Sequence, residues 1–392
     1  MAQIFTAPDA RRTFLLVLSL SALAFAAACR SDSDGQRVRP RQLRDVPAQK
    51  LAFKLDADVD APPGINEETR PNPAIQQDFD ERRKDEALVL LRTVASPDGQ
   101  RALALYSTQD EPSTTFHLDL YAADGRFLRN LSPPDLAVVF QDSVVWSADS
   151  SNIAFVARKT AQPRPSPTPE IIEPAIPLES PLPTPSVMPA FAPVPSFATE
   201  QIYLCNRDGY DLRPLTTREG LIYFALAWAP DGHALAALAC TESEWGARER
   251  EFRAPAGRPR LVSVDGDERL LDDALAETPP VWSPDSSKVA TAFGVDIGIY
   301  DAAGKAPTQA RIVLRERLLS ASIAFDERSA PKKNDAAPES SPVTSSNPVS
   351  FNPIARVEWP TPEKLYVETA YVTLRSELIK TFSRWHVLTL SP

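Results

Sequence analysis

The residues of this 392-residue chain whose types could do chemistry are few and widely spaced. Its three histidines, His117, His233 and His386, share none of the short spacings that bring two imidazoles to one metal. No Cys-x-x-Cys string occurs among Cys29, Cys205 and Cys240, so nothing points to structural zinc. The string DADVDAPPGINE places Asp56, Asp58, Asp60 and Glu67 at the oxygen-ligand positions of a calcium loop. Its sixth place, which needs glycine for the sharp turn, is Ala61, followed by Pro62 and Pro63, so these acids read as linker charge. A nucleophilic serine would need a string that singles it out, and no Gly-x-Ser-x-Gly is present. Arg248, Arg250, Arg253, Arg258 and Arg260 form a basic cluster. Glu249 and Glu251 interrupt it, so it reads as a solvated mixed-charge loop rather than an anion site. No catalytic group, cofactor motif or metal site emerges, and binding is read ahead of catalysis.

The elements that would position any site come from a repeat. VVWSADSSNIAF (Val144 to Phe155), LAWAPDGHALAAL (Leu226 to Leu238) and PVWSPDSSKVATAF (Pro280 to Phe293) are copies of one cassette. A degenerate first copy runs from Thr93 to Tyr106 with Ala95 in place of tryptophan, and a last copy from Val357 to Val372 lacks the aspartate. Trp146, Trp228, Trp282 and Trp359 fall at one phase and are the candidate blade-packing residues. The first turn of each copy carries Asp98 and Gly99, Asp149, Asp231 and Gly232, or Asp285. A second turn carries Asp124 and Gly125, or Asp208 and Gly209. Aspartate can bond its own backbone, and glycine accepts positive φ without a Cβ clash, so both turns predict tight hairpins. Each copy is therefore a four-stranded antiparallel unit, and a period near fifty residues predicts units stacked around an axis.

From Ala87 to Pro392 these strings resemble the TolB-like β-propeller repeat, a relative of WD repeats. The resemblance implies an all-β propeller but is unspecific for function. Its members include a periplasmic component of a cell-envelope complex and the noncatalytic half of serine peptidases. Five blades are counted, beginning near Leu88, Val144, Tyr223, Pro279 and Ala355, with six left open because the family is usually six-bladed. The fifth stops after three strands, at RWHVLTLSP. The isolated apolar run Lys50 to Leu55 is expected to close the ring as its outer strand, since an uncovered edge invites aggregation.

The first thirty residues bear on location. Arg11 and Arg12 precede an apolar stretch, Thr13 to Ala28, that ends in three alanines before Cys29. That is the form of a secretory signal, here residues 1–28. Small residues before the cysteine resemble the bacterial lipobox, which implies a diacylglycerol on Cys29 and a lipid-anchored mature chain. An ordinary signal peptidase site is the alternative. The string Arg-Arg-Thr-Phe-Leu also resembles a twin-arginine signal, alongside general secretion. In an oxidising compartment Cys205 and Cys240 either pair or serve as small buried residues.

The formal charge is −10, and the mature part is more acidic by one, because the signal carries Arg11, Arg12 and Asp9. Such acidity disfavours nucleic acid and anionic membrane surfaces as partners. Residues 29–86 read as a tether around the closing strand, and 87–392 as the propeller, interrupted at 162–196 and 327–350. The first insertion contains twelve prolines and predicts extended or polyproline II chain, while the second predicts a polar loop. Alternating strand direction puts both insertions, the blade-three arginine loop and the Thr373 to Ser383 connector at one end of the propeller. That elaborated face is the candidate recognition surface. The expected function is a lipid-anchored recognition scaffold for an envelope protein or peptide. The competing class is a small-ligand binder or a hydrolytic or lyase propeller using the central channel. No feature sets an oligomeric state.

Overall fold

One aspartate organises the first turn of each of the first four repeats. The Asp98 carboxylate accepts from Ser96 Oγ at 2.6 Å and the Gln100 amide at 3.0 Å. Asp149 accepts from Ser147 Oγ at 2.6 Å and the Ser151 amide at 3.1 Å, and Asp285 from Ser283 Oγ at 2.7 Å and the Ser287 amide at 3.1 Å. Asp231 keeps the amide bond, from His233 at 3.0 Å, but Ala229 stands where the others have serine. The bonds from Ser96 and Ser147 are the main reason that the Asp98 and Asp149 carboxyls sit below the usual range. The next residue is left-handed in each copy: Gly99, Ser150, Gly232 and Ser286 have φ of 67°, 60°, 74° and 59°. Where that residue is serine, its hydroxyl accepts from the preceding blade, at 3.0 Å from the Asp98 amide to Ser150 and at 2.9 Å from the Asp231 amide to Ser286.

The computed structural model describes residues 42–63, 71–108, 115–159, 199–329, 353–375 and 378–392. In chain order, β1 (Ala52–Val59) is followed by α1 (Pro73–Arg82). The first sheet follows: β2 (Leu88–Ala95), β3 (Arg101–Thr108), β4 (His117–Ala122) and β5 (Phe127–Asn130). The second contains β6 (Leu136–Val138), β7 (Val145–Trp146), β8 (Asn152–Lys159), β9 (Gln201–Asn206) and β10 (Arg213–Pro214). Its innermost strand is split, so β6 and β7 both pair with β8. The third is β11 (Leu221–Trp228), β12 (Ala234–Thr241), β13 (Arg258–Ser263) and β14 (Glu268–Leu270), with α2 (Glu242–Arg250) between β12 and β13. The fourth is β15 (Val281–Trp282), β16 (Lys288–Phe293), β17 (Asp296–Asp301) and β18 (Gln309–Val313), followed by α3 (Arg315–Ser329). The fifth is β19 (Ile354–Thr361), β20 (Lys364–Arg375) and β21 (Leu378–Ser391), completed by β1 as its outer strand. All pairings are antiparallel, and the architecture is a propeller of four-stranded sheets.

Packing between sheets supplies the core. Leu103, Leu105, Leu118 and Leu120 of the first sheet meet Ile153, Phe155 and Tyr203 of the second. Ala154, Val156 and Ile202 on the other face of the second sheet meet Tyr223, Leu235 and Ala237 of the third. Similar clusters join the third sheet to the fourth and the fourth to the fifth. The repeat tryptophans carry directional bonds across three of these joints. Trp146 Nε1 donates to Val94 O at 3.1 Å, Trp228 to Val145 O at 3.3 Å and Trp282 to Ala227 O at 3.0 Å. Each acceptor lies one residue before the equivalent repeat position of the preceding blade. Trp359 is buried too, but its Nε1 donates to Pro362 O at 3.1 Å within its own turn.

The free face of the first sheet is covered by α1. Ile75 and Phe79, one turn apart, are 0 % and 1 % exposed and pack on Leu90, Ala102, Ala104, Tyr106 and Tyr121. The helix begins at Asn72, whose side chain accepts from the Ala74 amide, with Pro73 at the first position. The stretch expected as tether thus contributes a packing helix, and 3-10 turns at Leu43–Asp45 and Ala48–Lys50 also pack, through Leu43 and Ala48. Two further expectations change. The arginine loop is the helix α2, capped by Thr241 and Glu244 in a reciprocal box, and Arg258 and Arg260 belong to β13. The connector from Thr373 is not a loop, because β20 and β21 pair through Arg375 and Leu378 as one long ribbon. The start of the 327–350 segment is the last turn of α3. Residues 1–28, 162–196 and the rest of 327–350 lie outside the described residues.

The closing strand runs from Ala52 opposite Ser391 to Val59 opposite Trp385. A bulge interrupts it at Asp58, whose φ is 56°, a left-handed conformation that aspartate tolerates better than most residues. There its carboxylate accepts from Arg384 Nε at 2.7 Å and also pairs with Arg328 of α3. Burial pushes the Asp58 carboxyl up, but the bonds from Arg384 and Arg328 outweigh it and hold it below its ordinary value. His386, 1 % exposed, receives the Asp58 amide on Nδ1 at 3.4 Å and faces Thr369 Oγ1 from Nε2 at 3.0 Å. This assigns the proton to Nε2. Burial, reinforced by the Arg384 charge, lowers the His386 pKa to about 4.

A histidine kept neutral in the fold but free to charge when unfolded favours the unfolded chain as pH falls. The closure is therefore fully stable above pH 6.5 and loses stability as pH drops toward 4. The expected loss is about 3 kcal/mol, as the 2.303RT linkage relation gives for a shift of this size. Urea unfolding across that range should show this loss in the native chain and not in His386→Gln. Parallel curves would rule it out.

Candidate functional site

Two ends of the propeller differ in character. The turn end is held by ion pairs between neighbouring repeats, Arg101 with Asp208 at 3.1 Å and Arg207 with Asp98 at 2.9 Å. Gly209 (φ 76°) could not carry a side chain there, since its Cβ would lie 2.3 Å from Leu131 Cδ2. Gly125 (φ 91°) would bring a Cβ to 2.8 Å from Ala74 of α1. Asp124 fixes that turn by accepting from the Arg126 amide at 3.0 Å. A cleft of about 460 Å³ opens at this end beside Arg44, Asp231 and Asp285. Its floor holds Lys288 and Asp301, 2.7 Å apart. Asp301 also accepts from the Ala48 amide and from Thr308, so its oxygens are already used in tying the N-terminal turns to the fourth sheet.

The opposite end, where β8 leaves for β9 and β12 leaves for β13, carries a different cleft of about 500 Å³. Its apolar wall is an aromatic cluster. Trp245 on α2 lies 5.3 Å from the ring of Phe140 and 5.4 Å from that of Phe224, with Phe140 and Phe224 6.4 Å apart. Phe116, Val139 and Ile222 complete that lining, and Phe224 lies behind it in the core. Glu200, Glu242 and Glu249 form its polar edge with Arg158, and Arg158 is 3.4 Å from Glu200. Glu244, one residue before the tryptophan, is not available to a ligand: Arg258 grips both its oxygens at 2.8 Å and holds its carboxyl at about 2. That grip, with the Thr241 cap, fixes the orientation of α2.

The residues singled out for chemistry in the sequence are dispersed. His117 lies on β4, stacked on Tyr106; His233 is exposed at the turn end; His386 is buried on β21. Among the described residues no group of three metal-ligating side chains converges. Of the acids spaced like a calcium loop, Asp56 pairs with Lys54 at 2.8 Å and Asp58 with Arg384, while Glu67 lies outside the described residues. Four arginines of the basic cluster are paired locally: Arg248 and Arg253 both reach Glu277, Arg258 holds Glu244, and Arg260 meets Glu268. Cys205 and Cys240 are free, buried thiols in separate clusters, and burial pushes them up to about 12 and about 11. On the innermost strands Arg92 bonds Asp142 at 3.2 Å and Gln141 O at 2.6 Å, and Arg356 bonds Glu358 at 2.7 Å. Cys29 lies outside the described residues.

Sequence reasoning missed the aromatic cleft. Its one legible signal was Trp245, a tryptophan off the repeat phase four residues after the capping pattern began at Thr241.

The fold and this geometry define a β-propeller with one compact and one elaborated end. Solved structures to which the chain is similar include a putative TolB from Agrobacterium tumefaciens, at 12% identity and TM-score 0.32, covering 78% of this chain and 91% of that one. Prolyl oligopeptidase B from Galerina marginata matches at 8% identity and TM-score 0.41, over 76% of this chain. An oligogalacturonate lyase from Vibrio parahaemolyticus matches at 10% identity and TM-score 0.38, over 78% of this chain and 67% of its own. The chain spans 37% of the length of the prolyl oligopeptidase. No protein-family model matches the sequence, and no curated protein matches it.

Proposed function

We propose that this protein is an extracytoplasmic recognition scaffold, held to a membrane by lipid on Cys29 and receiving a protein or peptide partner at its elaborated end. The observation that carries the reading is the open cleft walled by Phe140 and Trp245 and edged by carboxylates, at the end where α2 joins β12 to β13. Loops on a rigid scaffold are the usual seat of recognition, and exposed concave aromatic surface is what a partner buries. On the inner strands, by contrast, Arg92 and Arg356 pair with the neighbouring carboxylates Asp142 and Glu358. Among the described residues no helix is long and apolar enough to cross a membrane; the proposed anchor is the acyl chains on Cys29.

Crosslinking in native membranes followed by mass spectrometry tests this reading. A partner linked to residues of the elaborated end, in the native chain and absent from membranes of the Cys29→Ala variant, is the expected result. Recovery of the chain without any protein partner, or equal membrane retention of the variant, would overturn the scaffold or its anchor respectively.

A further inference from the structure

Building on the recognition reading, we propose that the cleft beside α2 binds a basic, proline-rich peptide supplied by a partner, in extended polyproline II form. Three features of the cleft argue for this chemistry. First, its wall is aromatic and its rings are inclined rather than coplanar. Trp245 stands at 38° to Phe140, which leaves ridged apolar surface into which pyrrolidine rings can pack. Aromatic-lined grooves of this kind take proline-rich segments because a preformed polyproline II helix loses little entropy on docking.

Second, the edge is acidic. Glu242 and Glu249 are exposed on α2 and have no basic partner among the described residues, and Arg158 is engaged by Glu200. A ligand that brings cations along one side is therefore complementary. Third, Glu242, Trp245 and Glu249 stand three and four residues apart on α2 and so line the cleft from one helix face, and the polyproline II helix has three residues per turn. A peptide with a basic residue at every third position thus carries all its cations along one side, where they meet the carboxylates while the neighbouring prolines pack on Trp245. The cleft volume of about 500 Å³ is within the range of peptide and small-ligand sites.

The test is titration calorimetry of the full chain with three nonapeptides, each a threefold repeat: Pro-Pro-Arg, Gly-Ser-Arg with the same charge, and Pro-Pro-Glu with the opposite charge. The first should bind at least tenfold more tightly than either other, and the double variant Glu242→Lys, Glu249→Lys should lose at least tenfold in affinity for it. Both carboxylates are exposed, so that variant should fold as the native chain does. Trp245→Ala should lose the binding as well.

Absence of binding by Pro-Pro-Arg, or equal binding by Gly-Ser-Arg, overturns the proposal, the latter because it reduces the effect to the chain's net charge. Binding that emerges only after Pro163, Pro165, Pro167 and Pro169 are replaced by serine also overturns it, since the occupant is then the chain's own proline-rich stretch. Membrane crosslinks to a protein partner that persist while all three peptides fail would leave the scaffold reading standing and remove this ligand class from it.

Discussion

Trp282→Ala is expected to destabilise the propeller by about 4 kcal/mol, the cost typical of deleting a buried aromatic from a core. The indole, 8 % exposed, sits among Ala229, Leu261, Leu271 and Tyr300 at the joint between the third and fourth sheets. Two costs combine. The cavity left behind cannot collapse, because both walls are sheets whose spacing is set by their neighbours. In addition, Ala227 O loses the indole donor at 3.0 Å that links it to the next blade. Trp282→Phe separates the terms: it keeps most of the volume and should cost about 1 kcal/mol more than its packing change for the lost hydrogen bond. Denaturant midpoints at constant slope measure both. A loss well under 1 kcal/mol for the alanine variant would show that the repeat tryptophan is not what joins the blades.

Arg83→Met should cost about 4 kcal/mol through a different mechanism, the stranding of a buried charge. Asp119 is 0 % exposed at the face of the first sheet that α1 covers, and Arg83, just past the helix, donates to it at 3.1 Å. Asn130 Nδ2 donates at 2.8 Å and Tyr106 OH lies at 3.4 Å from the same carboxylate. Burial pushes the Asp119 carboxyl up, and the Arg83 charge and hydrogen bond are the largest effects opposing it, so removing the guanidinium removes what most favours the charged form. The Arg83 guanidinium also lies 4.7 Å from the Tyr106 ring centroid, so methionine retains part of the packing but none of the charge. Asp119→Asn removes the stranded charge. The double variant should therefore recover most of the loss, giving a coupling energy of roughly 2–3 kcal/mol in a thermodynamic cycle. Additive losses would mean that Arg83 acts through α1 packing alone.

The two sites also show what kind of information the sequence carries. The blades were legible because the first four copies repeat their own local physics: an aspartate that bonds the backbone two residues on, a left-handed residue after it, and strands that alternate. Pairing of the isolated run near Leu51 with the chain's last strand followed from counting strands in an incomplete blade. What sequence reasoning could not reach depends on single residues in unrepetitive surroundings. Ile75 and Phe79 are two apolar side chains in a stretch of Gln, Asp and Arg, so α1 looked like linker until the sheet face it covers was known. The helix α2 looked like loop because its residues are charged on every side and its burial comes from one tryptophan. The aromatic cleft draws Phe116, Phe140, Ile222 and Trp245 from four separate segments, and only the ring of blades brings them together. Likewise, the tryptophan phase was visible, but its bond to the preceding blade is a property of two blades and not of one.

The pairing of β1 with β21 also sets a clock. Asp58 and Arg384 stand 326 residues apart, so the first strand of the fold is made first and paired last. Closing so long a loop costs only a little more chain entropy than closing one blade, because that cost grows with the logarithm of length, but it makes the contact intrinsically slow. Until Ser391 has been made and has met Ala52, the fifth sheet keeps an open edge. Each preceding blade can pair within itself as it emerges; the fifth completes only when both ends of the fold are at hand.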